Sequence, residues 1–122
     1  MKIISFEGIE GVGKSTQINL LKEHLEKRDY TVSIFREPGS TKNAEQIRKI
    51  LLDNKNNLAF ETELLLMFAA RSELVGKKIL KNENDFVLLD RFYDASIAYQ
   101  GYGRDLSLDF IESLVNFINC PK

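Results

Sequence analysis

The sequence predicts an α/β fold, a parallel sheet with helices on both faces in three layers. Three observations predict it. Short β-type runs alternate with longer stretches of helical period, in the order β-α-β-α-α-β-α. One β-type run, Phe86-Val87-Leu88-Leu89, is apolar throughout, as a central parallel strand covered on both faces requires. A glycine-rich segment, Gly8 to Ser15, joins the first strand to the first helix.

Each element has its own signal. Lys2 to Glu7 is a short β run around Ile3-Ile4. Lys14 to Arg28 is predicted helical, with Ile18, Leu21 and Leu25 at i, i+3 and i+7. Thr31 to Phe35 alternates at period two. Arg36-Glu37-Pro38-Gly39-Ser40-Thr41 is expected as a loop, because Pro-Gly punctuates it and proline pushes Glu37 out of the α region. Ala44 to Leu52 is helical and Asp53 to Asn57 is a polar turn. Glu61 to Lys81 is the longest helical pattern, and its segment Leu64 to Ala70 is apolar all round, which predicts burial on several sides. Asn82 to Asp85 is a turn before the apolar strand. Ser107 is the expected N-cap of a last helix with Ile111, Leu114, Val115 and Ile118 on one face.

Composition bounds the function. Hydrophobic residues make up 43% and charged residues 29%, which suits a globular chain and excludes a disordered one. The 17 Lys+Arg against 18 Asp+Glu give a net charge of −1, too little cationic excess for a nucleic-acid or membrane-surface binder. One cysteine, Cys120, allows no disulfide within the chain, and with the single His24 it is too few for a Cys/His zinc site. No apolar run approaches a membrane span, and the opening Met1 to Glu7 meets a carboxylate too soon for a signal peptide. The expected compartment is the cytoplasm. Residues 1–122 read as one domain. The stop just after a helix, where the alternation calls for another strand, reads as the N-terminal part of a larger one.

Gly8-Ile9-Glu10-Gly11-Val12-Gly13-Lys14-Ser15 matches G-x-x-x-x-G-K-[ST], the phosphate-binding P-loop, without a departure. Its glycines let backbone N–H groups turn inward around phosphate oxygens. Lys14 supplies a point charge for the β and γ oxygens, Ser15 a hydroxyl for Mg²⁺, and the helix that follows its positive end. Its place between a predicted strand and a predicted helix is what the mechanism needs. The motif implies ATP or GTP, not what is done with it.

Other residues are read against it. Asp90-Arg91 follows the apolar strand, at the carboxyl end where open α/β sheets bind ligands. Asp90 is expected to polarise the Mg²⁺ shell and Arg91 to clamp a phosphate; a solvated ion pair is the plainer alternative. Arg71 falls between Met67 and Leu64 on the helical wheel, inside the apolar arc, where a guanidinium needs an anion or acceptor. A snorkelling side chain or a structural salt bridge explains it equally well. Arg36, Arg48 and Arg104, taken singly, read as solvated charges. Glu10, a carboxylate beside a phosphate site, needs another task, such as accepting a hydroxyl hydrogen bond from a second substrate.

Together these residues resemble the thymidylate kinase (dTMP kinase) family. The matching segments are Phe6 to Ser15, Arg36-Glu37-Pro38-Gly39, Ile47-Arg48 with Leu51-Leu52, Phe68-Ala69-Ala70-Arg71, Asp90-Arg91-Phe92, and Ser96 with Ala98-Tyr99-Gln100-Gly101, in family order over the whole chain. The last of these are more specific than the P-loop. The resemblance implies a P-loop fold of the nucleoside-monophosphate kinase class, a homodimer, and transfer of the γ-phosphate of ATP to dTMP with Mg²⁺. It implies that the loop from Gly8 through Ile9, Glu10, Gly11, Val12 and Gly13 to Lys14 and Ser15 holds ATP. Arg91 would bind the dTMP phosphate, with Arg48 and Glu37 lining that site. Glu10 would lie near the sugar 3′-hydroxyl, Arg71, Ser96 and Gln100 would read thymine, and Tyr99 would crowd the 2′ position.

Two departures stand out. The family carries an aromatic four residues before the Arg71 position, where this chain has Met67 and, one place later, Phe68. Either the thioether packs on the base or the helix turns to present Phe68. Family members also continue beyond residue 122 with a lid bearing arginines, so this chain is expected to be a poor kinase alone, with β1 an open edge. A kinase for another nucleoside or nucleotide, and a non-catalytic nucleotide-binding module, are the alternative readings.

Overall fold

The computed structural model describes residues 1–7, 13–53, 55–91 and 108–119. Strand β1 (Lys2–Glu7), helix α1 (Lys14–Glu26), strand β2 (Val32–Glu37), helices α2 (Lys42–Leu52) and α3 (Phe60–Leu74), strand β3 (Phe86–Arg91) and helix α4 (Leu108–Phe117) follow one another in the predicted order. The strands form a parallel sheet in the order β1-β3-β2. The apolar strand is therefore the central one, with Val87, Leu88 and Leu89 at most 2% exposed. Among the described residues β1 is an edge, as expected.

Alternation along the strands sorts the core into two layers. Val87 and Leu89, with Ile3 and Phe35 beside them, face Leu74, Val75 and Ile79. The opposite face lies under α1, whose Ile18 is buried and shares a cleft with Ile34 and Asp90. Helix α2 packs on α3. The last helix covers α3 from outside, where Leu64, Phe68 and Ile111 make a second cluster with Leu114, Val115 and Ile118 at its rim. Its predicted cap, Ser107, lies outside the described residues.

Several expected boundaries move. Helix α1 ends at Glu26 rather than Arg28. Asp29 turns left-handed at φ 68°, and the Tyr30 N–H reaches back to the Leu25 carbonyl, a closure that helical periodicity does not announce. The helix expected over Glu61 to Lys81 is α-helical only to Leu74. Val75–Ile79 widens to π winding, with the Leu80 N–H bonded to the Val75 carbonyl, and burial still continues through Val75 and Ile79. An apolar arc is compatible with either winding. Helix α3 is buried on several sides, as its apolar run predicts, while Leu65 on the remaining side is 52% exposed. Helix α2 starts at Lys42, since the Thr41 hydroxyl accepts the Ala44 N–H at 3.1 Å.

The most consequential shift is at the strand ends. Arg36 and Glu37 belong to β2 rather than to a loop, and Asp90 and Arg91 belong to β3. Ladder pairing carries both strands onward, with Arg36 opposite Asp90 and Glu37 opposite Arg91. Proline at 38 ends β2, and the Glu37–Pro38 peptide is cis.

Candidate functional site

Period two at the end of β3 determines the site. Asp90 and Arg91 are neighbours in sequence, so their side chains leave opposite faces of the sheet. They do not pair with each other, which corrects the solvated-pair alternative.

On the α1 face, Lys14 Nζ lies 2.7 Å from Asp90 Oδ1 and donates to the Arg91 carbonyl at 3.1 Å. Lys14 is only 5% exposed, unusual for a lysine and tolerable because its ammonium is paired. The sequence puts it there through Gly13, which caps α1 with a left-handed φ of 77° and accepts the first helical bond from Gln17. Ser15 lines a cleft of about 100 Å³ with Ile18, Asn19, Ile34 and Asp90. A hydroxyl and a carboxylate beside one opening fit Mg²⁺, which keeps much of its water and takes few protein ligands. No cluster of three or more His, Cys, Asp or Glu ligands occurs among the described residues.

On the α3 face, Glu37 and Arg91 sit opposite each other in the ladder, and Arg91 Nε donates to Glu37 Oε2 at 2.7 Å. Arg71 approaches the same oxygen, Nε to Oε2 at 3.5 Å. Glu37 is 3% exposed. Two guanidiniums around it supply what a buried carboxylate needs. Glu37 Oε1 and Arg71 Nε have no hydrogen-bond partner among the described residues. Glu37, Pro38, Met67 and Arg71 line a small cleft of about 10 Å³. Of the two side chains the sequence left open, Met67 lines this cleft. Phe68 packs in the α3–α4 cluster and carries the Arg71 guanidinium 5.4 Å from its ring centroid.

Arg48 is not a solvated charge. It is 7% exposed, and its Nη1 donates to the Pro38 carbonyl at 3.0 Å, which fixes the turn behind Glu37. The signal was in the sequence: Ala44, Arg48 and Leu51 stand at i, i+4 and i+7, and all three are buried. Arg36 is half exposed and bound to Glu45. That hydrogen bond holds the Glu45 carboxyl below the usual carboxylate range, against the desolvation that raises it, with help from the Ser40 N–H. A Cβ at Gly39 would collide with the same carboxylate, so the Pro-Gly turn accepts no larger residue there without rearrangement.

Gly8, Ile9, Glu10, Gly11 and Val12 of the P-loop lie outside the described residues, as do Ser96, Tyr99, Gln100 and Arg104. Among the described residues no helix is long and apolar enough to cross a membrane.

Residues 6–121 match the family model described as thymidylate kinase. A thymidylate kinase of Chlorobaculum tepidum is 49% identical over 121 residues, which cover 97% of this chain and 56% of that protein. One from a Thermoanaerobacter species is 50% identical over 113 residues, 91% of this chain and 56% of its own length. The crystal structure of thymidylate kinase from Ehrlichia chaffeensis superposes with a TM-score of 0.78 at 38% identity, covering 96% of this chain and 69% of that one. The chain thus spans a little over half the length of these curated relatives.

Proposed function

The chain belongs to the thymidylate kinase family, and from that premise we propose that its protein transfers the γ-phosphate of ATP to dTMP, giving ADP and dTDP. One observation carries the reading beyond the family name. The end of β3 sends Asp90 toward Lys14 on one face and Arg91 toward Glu37 and Arg71 on the other. A phosphoryl-transfer site needs that division, with donor and acceptor phosphates approaching one point from two sides and charge neutralised where they meet.

In this reading Lys14 and the P-loop backbone bind the β and γ oxygens of ATP. Asp90 orients the Lys14 ammonium, to which it is paired at 2.7 Å. Ser15 and Asp90 would hold Mg²⁺, which when bound neutralises charge on the phosphates. On the acceptor side Arg91 takes the dTMP phosphate and Arg48 holds the Pro38 turn beside it. Arg71, backed by the Phe68 ring, faces the base, and Met67 packs against it. Glu10, Ser96, Tyr99 and Gln100 complete the acceptor site as the family resemblance implies. An oxygen of the dTMP phosphate then attacks the γ-phosphorus in line while the bond to the ADP oxygen breaks. No protein nucleophile is required.

A cytoplasmic homodimer belongs to the same reading. The exposed Leu65 on the apolar α3 supports the dimer, and a single cysteine suits a reducing compartment. The reading is tested by coupled ADP release with dTMP, dUMP, dCMP and AMP as acceptors. Preferred turnover of dTMP is expected. Preferred turnover of another acceptor overturns it, as does ATP binding without turnover by a chain extended to the length of its relatives.

A further inference from the structure

A carboxylate in the acceptor site poses a problem, because Glu37 lies where an incoming phosphate dianion would be repelled. Three observations bear on it. Glu37 is 3% exposed and at the end of a strand, so its backbone is held by the ladder rather than by a loop. Its Oε2 gathers Arg91 at 2.7 Å and Arg71 at 3.5 Å, one from β3 and one from α3. The turn that follows is fastened by buried Arg48 at the Pro38 carbonyl. The carboxylate is outnumbered by the guanidiniums around it, so the cluster stays cationic while neither arginine is left to wander.

We infer that Glu37 is a positioning residue that ties the phosphate-side Arg91 and the base-side Arg71 into one unit and holds both before nucleotide binds. The inference rests on the acceptor-site reading above and deepens it. Arginine has many rotamers, and ordering two of them is a cost that binding would otherwise carry. A shared, buried carboxylate meets that cost during folding. It also fixes the separation of the two guanidiniums, and with it the distance at which a phosphate and a base can be held together. The remaining oxygen, Oε1, and Arg71 Nε stay without hydrogen-bond partners among the described residues, in side chains that line the same cleft. Arg71 is therefore held to Oε2 by charge at 3.5 Å rather than by a hydrogen bond.

If Glu37 merely competed with phosphate for Arg91, neutralising it would tighten dTMP binding. If it positions the arginines, neutralising it weakens dTMP binding and also weakens thymidine, which has no phosphate and reaches the unit only through Arg71. The experiment is calorimetric titration of dTMP, thymidine and ATP into the wild-type protein, Glu37→Gln and Glu37→Asp. Expected for Glu37→Gln is a rise of tenfold or more in the Kd for dTMP, a rise for thymidine, and ATP affinity within twofold of wild type. Glu37→Asp, which keeps the charge on a shorter arm, is expected to recover part of the loss. Unchanged or tighter dTMP binding by Glu37→Gln overturns the inference and leaves the acceptor-site reading standing. Equal losses for dTMP and ATP overturn it in favour of a structural role. If Glu37→Gln does not fold, the same comparison is read from Glu37→Asp. Failure of the wild-type protein to bind dTMP overturns the acceptor-site reading itself.

Discussion

Removing Arg91 should strand a buried charge. In Arg91→Ala, Glu37, which is 3% exposed in the native structure, loses the guanidinium at 2.7 Å, and only the more distant contact to Arg71 Nε, at 3.5 Å, is left of the two ion pairs described. Breaking a buried ion pair from one side costs about 3–5 kcal/mol. The surviving attraction to Arg71 puts the expected loss at the lower end, about 3 kcal/mol. In a Glu37→Gln background the same truncation leaves a neutral amide, for which an unmet hydrogen bond costs about 1–2 kcal/mol. The difference predicts a coupling energy of about 1–2 kcal/mol, well above the roughly 0.5 kcal/mol scatter of independent sites. Urea unfolding of wild type, both single variants and the double variant closes the cycle. A coupling below about 0.5 kcal/mol would mean that Glu37 and Arg91 do not depend on each other.

Two further outcomes follow from the packing and from Glu45. Leu74→Ala, at a fully buried position between α3 and the sheet, should cost about 2–5 kcal/mol in the same unfolding assay; a loss near zero would mean that this face is not the core. The Glu45 carboxyl titrates below its usual range in the folded protein, so its contribution is present at neutral pH and lost as pH falls through that lowered value. Glu45→Gln should therefore be slightly less stable than wild type at pH 7, by less than about 1 kcal/mol for so exposed a pair. The gap should close in acid; a gap that persisted below the carboxylate range would assign it to something other than charge.

The elements were legible because their periods are clean. The wholly apolar Phe86 to Leu89 could only be the strand covered on both faces, and it is the central strand. The strand ends were not legible. Asp90, Arg91, Arg36 and Glu37 look like polar punctuation, and they become ladder residues only because two strands remote in sequence continue pairing. The same long-range pairing hides the site's main feature, that adjacent residues 90 and 91 serve opposite faces. Arg48 could have been read: it shares a helix face with Ala44 and Leu51 at i, i+4 and i+7, as Arg71 shares one with Leu64 and Met67. The choice between Met67 and Phe68 depended on α4, which draws Phe68 into its own cluster and leaves Met67 to the cleft. No spacing within α3 encodes that.

If, as proposed, the two faces at the end of β3 separate ATP from dTMP, one substitution on each face should move the two affinities independently. Both affinities are measured in Lys14→Ala and in Arg71→Ala. Each substitution removes a charge-assisted contact of about 1.5–3 kcal/mol, roughly ten- to a hundredfold in affinity. The expected result is crossed: Lys14→Ala loses ATP and keeps dTMP, while Arg71→Ala loses dTMP and keeps ATP. Parallel losses in either variant, or none, would contradict it.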